Sequence, residues 1–366
     1  MKICHIINDM HSGGAQTFLS TLAKEQVKLG HEVVILLLDK STNTAFEQQI
    51  VADMESREIK VYTLDRRRGK NFSILKSLRT CHELLKKVKP DVINSHMDLS
   101  HFFIGLYLFF FRQTWYTKHV VSIHCAPEPW DLPTTLLNRH SATIFCSYAA
   151  EKLNKKRDCI SVTIQNGISD IIADDSAAKL LETRNINGKE KLVLCVGRIA
   201  KQKNYSFISS VADEFVDKEV RFLVCGAPDN TYEVVSPLLH KKPIEYLGVC
   251  TPSTIFSLMK RSHCFLNASL YEGLPITVLE AFFSGIPCVL SSIMPHHEIA
   301  SDMPNCYIPE SFDTQKYKEA INIALSEGDM KSSILKDRLP RLDKYRIHNT
   351  ASRYVDFYQL VLKSGN

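Results

Sequence analysis

Near residue 191 the chain starts again. Its opening run, Lys2-Ile3-Cys4-His5-Ile6-Ile7-Asn8, reads as a nearly apolar strand, followed by a glycine-bearing loop and an amphipathic helix. Lys191-Leu192-Val193-Leu194-Cys195-Val196-Gly197 repeats that order of strand, glycine turn and helix. Strands that are apolar on almost every residue are buried on both faces, which calls for a parallel sheet with helices on either side. The restart therefore predicts an α/β fold of two doubly wound, Rossmann-like parallel-sheet domains in series. Ligands of such sheets sit beyond the carboxyl ends of the strands, so two units of this kind are expected to face a central cleft. A length of 366 residues, too great for one core, agrees.

The same patterning sets finer expectations. The first helix runs to about Leu29, with Gly30 just past its end, where a left-handed residue is usual. Strands are expected near 32–38, 60–64, 91–95, 120–124, 143–147 and 161–165, and a helix over 73–87. In the second half a helix is expected over 205–215, with strands at 221–226, 263–267 and 287–290. The polar stretch 170–190 marks the boundary, giving domains 1–168 and 169–344, with a helix in 345–366 packing back across the domains. The run Met1–Ile7 is too short and too early for a secretory signal.

Composition narrows the class. Hydrophobic residues at 45% and charged residues at 23% describe an ordinary globular chain, which excludes disordered and collagen-like classes. Eleven cysteines without a Cys-x-x-Cys pair, most of them in apolar runs, argue against a disulfide framework or a zinc site. A reducing cytoplasm is the expected home. Residues 1–165 carry 22 Lys and Arg against 16 Asp and Glu, whereas the rest carry 23 against 24. The first half thus holds the positive excess, clustered at Arg66-Arg67-Arg68-Gly69-Lys70 and Lys86-Lys87-Val88-Lys89. Such clusters suit a membrane surface or a lipid diphosphate, or are solvated helix faces; a nucleic-acid partner is not expected. The apolar run 101–111 has about half the roughly 20 residues that a spanning helix needs. It reads as a buried helix, or as an interfacial segment beside the basic clusters.

Three motifs point to chemistry. Ser12-Gly13-Gly14-Ala15 lies between the first strand and helix, where glycines admit a ligand close to backbone and helix-start N–H groups favour anions. It is neither a P-loop nor Gly-x-Gly-x-x-Gly. Gly197-Arg198 and, a few residues on, Lys203-Asn204 place cations beyond the corresponding strand of the second half, suited to a diphosphate or merely to solvent. Tyr271-Glu272-Gly273-Leu274-Pro275-Ile276-Thr277-Val278-Leu279-Glu280 sets one carboxylate in a loop and another early in a helix. Thr277-x-x-Glu280 also reads as a capping box, and on its own that is the favoured reading of Glu280.

With Pro90-Asp91-Val92-Ile93-Asn94-Ser95-His96 and Ile164-Gln165-Asn166-Gly167-Ile168 these motifs stand in a familiar order. Residues 1–310 resemble the retaining GT-B glycosyltransferases of the family 4 type (glycosyl transferases group 1). The resemblance implies that Arg198 and Lys203 bind the diphosphate of a nucleotide sugar and offset the charge of the leaving phosphate. Gly13, Gly14, Gly197, Asn166 and the amides of Leu274 and Ile276 would complete the donor site. Glu272 would hold the donor sugar, Glu280 the ribose, and His124 would stand near the transferred sugar; apart from the family, His124 reads as a satisfied strand-end histidine. His96 has a similar but weaker standing. Many members read Glu-Gly-Phe-Gly-Leu where this chain has Glu-Gly-Leu-Pro-Ile, and Pro275 has no N–H to offer a phosphate. The implied activity is retaining transfer, UDP-sugar favoured and GDP-mannose next, to a lipid-linked saccharide bound by the N-terminal domain. No Asp-x-Asp pair occurs, so no metal and no further cofactor are expected. The setting would be O-antigen, capsule or exopolysaccharide synthesis, in the cytoplasm and peripherally at the inner membrane face. Alternatives are a sugar-nucleotide epimerase of the same fold and an inactive scaffold subunit.

Overall fold

The structure, a computed structural model, describes all residues except 12, 67–73, 112–117, 125–131, 155–158, 171, 187–188, 217, 230–231 and 365–366. Ser12 and most of the basic cluster 66–70 therefore lie outside the described residues. The rest form two compact units, residues 1–167 with 345–366, and residues 168–344.

The first unit alternates β1 (Lys2–Ile7), α1 (Gly14–Lys28), β2 (Glu32–Asp39), α2 (Ala45–Glu55), β3 (Lys60–Arg66), α3 (Ile74–Val88), β4 (Val92–His96) and α4 (Asp98–Phe111). It continues through β5 (Lys118–Ile123), α5 (Leu132–Leu137), β6 (Ala142–Phe145), α6 (Tyr148–Asn154) and β7 (Ser161–Thr163). All strand pairs are parallel, in the order β3-β2-β1-β4-β5-β6-β7. Successive side chains of β1 go to opposite faces. Ile3 joins Phe18 and Leu22 of α1, while Cys4 and Ile6 join Leu78 and Leu85 of α3 and Phe103 and Tyr107 of α4. Gly30 has φ +84° and closes α1, as expected.

The second unit runs α7 (Ser176–Thr183), β8 (Lys191–Val196), α8 (Tyr205–Asp213), β9 (Val220–Cys225), α9 (Tyr232–Leu239), β10 (Ile244–Gly248), α10 (Pro252–Arg261) and β11 (Cys264–Asn267). Then come α11 (Ile276–Ser284), β12 (Cys288–Leu290), α12 (Met294–Ala300), β13 (Cys306–Tyr307), α13 (Thr314–Glu327) and α14 (Lys331–Leu342). Its sheet is parallel in the order β10-β9-β8-β11-β12-β13. The fold is thus two Rossmann-like parallel-sheet units. Helix α7 falls inside the polar stretch read from sequence as the domain boundary; only Ala177 and Leu181 of it are buried, too thin an apolar stripe to stand out.

The last helix, α15 (Ile347–Lys363), belongs to the first unit. Its Ala351, Tyr354, Phe357 and Tyr358 join the core with Ile3, Phe18 and Val120. It also grips the end of β7 and the chain after it: Arg353 donates to the Thr163 carbonyl at 2.9 Å, and Thr350 Oγ1 to that of Gln165 at 3.1 Å. A Cβ at Gly167 would stand 2.6 Å from Thr350 Oγ1 and 2.9 Å from the Arg346 backbone, so glycine is what lets this helix close on the segment.

Candidate active site

In a doubly wound sheet, successive crossovers run to one side and then the other, and a crevice opens where they part. In the second unit that point lies between β8 and β11. The loops after these two strands carry the sequence-identified residues, and they are joined. Leu270 N donates to the Gln202 carbonyl at 2.9 Å, and Gln202 Nε2 to the Tyr271 carbonyl at 2.8 Å. Lys203 Nζ meets Glu272 Oε1 at 2.5 Å, and Ser269 Oγ donates to the same oxygen at 2.7 Å.

Gly197 is required for this arrangement. A Cβ there would lie 2.8 Å from Lys203 Cε and 3.0 Å from its Cδ, so the lysine stem crosses the bare glycine on its way to Glu272. The Tyr205 hydroxyl holds the Gly197 carbonyl at 2.8 Å. Burial pushes the Glu272 carboxyl up, but Lys203, Ser269 and His296 together outweigh it and hold the group below its ordinary range. Glu272 is therefore an anion with most of its hydrogen-bonding capacity in use. Arg198, by contrast, is exposed and makes no ion pair among the described residues. One cation of the predicted pair is braced, the other is available.

Helix α11 corrects one expectation. Its first residue is Ile276 and its cap position is Pro275, with no side-chain cap. Thr277 lies inside the first turn, so the Thr277–Glu280 capping box does not form. Proline at the cap starts the helix two residues earlier than a Thr cap would. The Pro275 carbonyl takes Val278 N and Leu279 N at 3.1 and 3.3 Å, leaving the Ile276 and Thr277 amides without intrahelical partners. Leu274 is buried just before this turn. Glu280 is 9% exposed and has no hydrogen-bond partner among the described residues. Burial alone raises its carboxyl to about 7. Glu280 is thus a buried carboxyl with neither a cap role nor a cation beside it among the described residues.

In the first unit Gly13, Gly14 and His96 stand at the switch point between β1 and β4 and His124 follows the neighbouring β5, whereas Asn166 lies beyond β7 at the sheet's edge. Gly13 caps α1 and Gly14 opens it, exposed and without a side-chain cap. His96 ends β4, and His124 follows β5. The two rings stack with centroids 5.1 Å apart, and Phe18 packs edge-on to His124 at 5.4 Å. Asn166, beyond β7, is buried with Oδ1 unpartnered. His124 and Asn166 are therefore only partly satisfied among the described residues: His124 Nε2 meets His96 Nδ1 at 2.7 Å, but its Nδ1 is buried without a partner there. Each cluster is built within its own unit, with Gly197, Lys203, Glu272 and the start of α11 in the second and Gly13, Gly14, His124, His96 and Asn166 in the first.

Sequence reading missed several supporting groups. Ser269 and Gln202 buttress Glu272, and buried His296 hydrogen-bonds the Ser291 carbonyl at 2.8 Å while its Nε2 stays unpartnered. Ser269 stands three residues before Glu272 in one loop, a spacing that could have been noticed. His5 and Gln26, which are hydrogen-bonded to each other and, through His5, to His96, could not, because their partners come from other strands and helices.

Two parallel Rossmann-like units with a charged cluster at a sheet switch point define the class as GT-B. The solved structure of Anabaena HepE in complex with UDP-glucose has this fold, with a TM-score of 0.78 at 15% identity, covering 98% of this chain and 100% of that one. Two family models divide the sequence: Glycosyltransferase Family 4 over residues 12–169 and Glycosyl transferases group 1 over residues 177–337. The chain belongs to these GT-B glycosyltransferases. It is 23% identical over 364 residues to the putative glycosyltransferase EpsF of Bacillus subtilis, covering 93% of this chain and 92% of that protein. It is 24% identical over 302 residues to the GalNAc-alpha-(1->4)-GalNAc-alpha-(1->3)-diNAcBac-PP-undecaprenol alpha-1,4-N-acetyl-D-galactosaminyltransferase of Campylobacter jejuni, covering 80% and 79%.

Proposed function

We propose that this protein is a retaining, metal-independent glycosyltransferase that moves a sugar from a UDP-sugar to a lipid-linked saccharide in bacterial surface-polysaccharide synthesis. The observation that carries the reading is the Lys203–Glu272 pair at the β8/β11 switch point, beside the open first turn of α11. In this account Arg198 and a remaining donor of Lys203 take the diphosphate, with the Ile276 amide as a further donor. Glu272 accepts hydrogen bonds from the donor sugar and Glu280 from the ribose diol. In the first unit, His124 meets the bound saccharide.

The chemical step needs no covalent enzyme intermediate. The acceptor hydroxyl oxygen bonds to the anomeric carbon as the bond from that carbon to the diphosphate oxygen breaks on the same face. The hydroxyl proton passes to the leaving phosphate. Negative charge grows on the diphosphate throughout, so fixed cations and helix-start dipoles aimed at it lower the barrier. With Arg198, Lys203 and the helix start in that position, a metal has no separate task.

The lipid-linked acceptor is supported by the named substrate of the Campylobacter relative and by the surface of α3 and α4. Phe109 and Phe110 are 69% and 60% exposed at the end of α4. Helix α3, stacked on α4 through His82 and Phe111, carries exposed Lys76, Arg79, Lys86 and Lys87. Aromatic tips beside basic residues suit an anionic membrane surface. No helix among the described residues is long and apolar enough to cross a membrane, so contact would be peripheral, at the cytoplasmic face. Thermal-shift titration with UDP-, GDP- and ADP-sugars, followed by transfer to an undecaprenyl-diphosphate saccharide, tests the whole reading. Stabilisation by UDP-sugars and an α-linked product from an α-linked donor are expected. An inverted product, or indifference to all three nucleotides, defeats it.

A further inference from the structure

A line of hydrogen-bonding side chains crosses the first unit's sheet and ends at His124. Gln26 Oε1 lies 2.7 Å from His5 Nε2, His5 Nδ1 lies 2.9 Å from His96 Nε2, and His96 Nδ1 lies 2.7 Å from His124 Nε2. Gln26, His5 and His96 are completely buried. The line exists because β1, β4 and β5 are neighbours in the sheet, with α1 packed alongside.

A neutral imidazole has one nitrogen that donates and one that accepts, so a chain of three has only two possible directions. Burial pushes His5 and His124 down to about 4 and His96 well below its ordinary range, which keeps all three neutral at pH 7. The direction is fixed from the far end. Asn94 Nδ2 donates to the Val120 carbonyl at 3.0 Å, an oxygen that can only accept. Asn94 Oδ1 must then be the acceptor for the Tyr358 hydroxyl, 2.8 Å away. With its hydrogen committed, Tyr358 offers lone pairs. Gln26 Oε1, which can only accept, is the atom that meets His5, and Gln26 Nε2 has no hydrogen-bond partner among the described residues. His5 carries its hydrogen on Nε2, and so in turn do His96 and His124. His124 Nδ1 ends the chain as a lone pair, buried and without a partner among the described residues.

We propose that Gln26, His5 and His96 are positioning residues that lock His124 as the Nε2–H tautomer, so that its Nδ1 accepts a hydrogen bond from a hydroxyl or amide N–H of the bound saccharide and excludes a carboxylate there. The step from tautomer to substrate rests on the proposed contact between His124 and the sugar. The tautomer itself does not.

Long-range proton–nitrogen correlation spectra of the full-length, 15N-labelled protein at pH 7.5 test this, with His124→Gln identifying the signals. A pyridine-type Nδ1 and pyrrole-type Nε2 are expected for His124; the reverse assignment overturns the proposal, whether or not the protein transfers sugar. Gln26→Met removes the acceptor at similar volume. It should mix the two tautomers and lower kcat about tenfold with KM for the donor changed by less than roughly twofold. Gln26→Glu, which keeps an acceptor facing His5, should restore both. A Gln26→Met protein with mixed tautomers and wild-type kcat overturns the positioning role. If Gln26→Met does not fold, Gln26→Glu and the wild-type spectrum still decide the direction of the chain. Should the wild type transfer no sugar from any nucleotide, the proposed function falls while the spectrum still settles the relay.

Discussion

Lys203 and Arg198 are both cations next to the same glycine, yet their surroundings make them behave differently when removed. The side chains of Lys203 and Glu272 are 15% and 8% exposed, so Lys203→Ala strands a buried carboxylate and should cost about 3 kcal/mol of stability. Arg198 is exposed and unpaired among the described residues, so Arg198→Ala should leave the urea midpoint within about 0.5 kcal/mol of wild type while weakening UDP-sugar binding roughly tenfold. Equal loss of stability in the two variants would contradict the arrangement. Glu280 supplies a second test. Its carboxyl is raised to about 7 by burial, and a ribose diol donates best to the ionised form. UDP-glucose affinity should therefore fall as pH drops from 8 to 6, and Glu280→Gln should abolish that dependence in calorimetric titrations. The cations and Glu272 were legible in the sequence because a glycine turn and a loop carboxylate recur at fixed places on such sheets. The capping box was a false signal, since a proline in the cap position overrides a threonine two residues later. The Gln26–His5–His96 line was not legible, because each link joins residues that only the strand order makes neighbours.

At the scale of elements, the sequence patterns placed the long strands and helices to within a few residues. Val33–Leu38 and Val193–Val196 are buried on both faces, and that continuous apolarity is what a parallel central strand looks like in a sequence. Weak patterns were read less well: α7, which buries only two side chains, was not expected, and the strand expected over 161–165 was found but ends at Thr163. The run 101–111 bears out the buried-helix expectation over most of its length. Phe103, Ile104 and Tyr107 are core, whereas Phe109 and Phe110 are exposed at the helix end. Arg66, from the basic cluster, is spent on the buried carboxylate of Asp39 rather than left for a partner. If α4 and α3 rest on a membrane, Phe109→Ser/Phe110→Ser should lower sedimentation with phosphatidylglycerol vesicles at least about fivefold without changing the melting temperature. Unchanged sedimentation would remove the membrane from the account.

Across the whole molecule, burial of neutral histidines links stability to pH. His5, His124 and His296 are lowered to about 4 and His119 to about 3, chiefly by burial. The unfolded chain binds these protons near pH 6.5 and the folded chain does not. Stability is thus complete above pH 6.5 and drains away as the pH falls toward 4. Glu280, raised to about 7, has the opposite sign, losing its contribution as pH rises from 4.5 through 7, but it is one group against four. Scanning calorimetry should show the melting temperature falling on the order of 10 °C between pH 7.5 and 5.5; a flat profile would mean the histidines are not sealed from water. The central claim concerns where the diphosphate is held. Calorimetric titration of UDP into wild type and into Arg198→Ala/Lys203→Gln, whose glutamine still offers Glu272 a donor, addresses it directly. Loss of two charge-assisted contacts should weaken binding at least about a hundredfold. Equal affinity in the two proteins would show that the nucleotide is held by other groups.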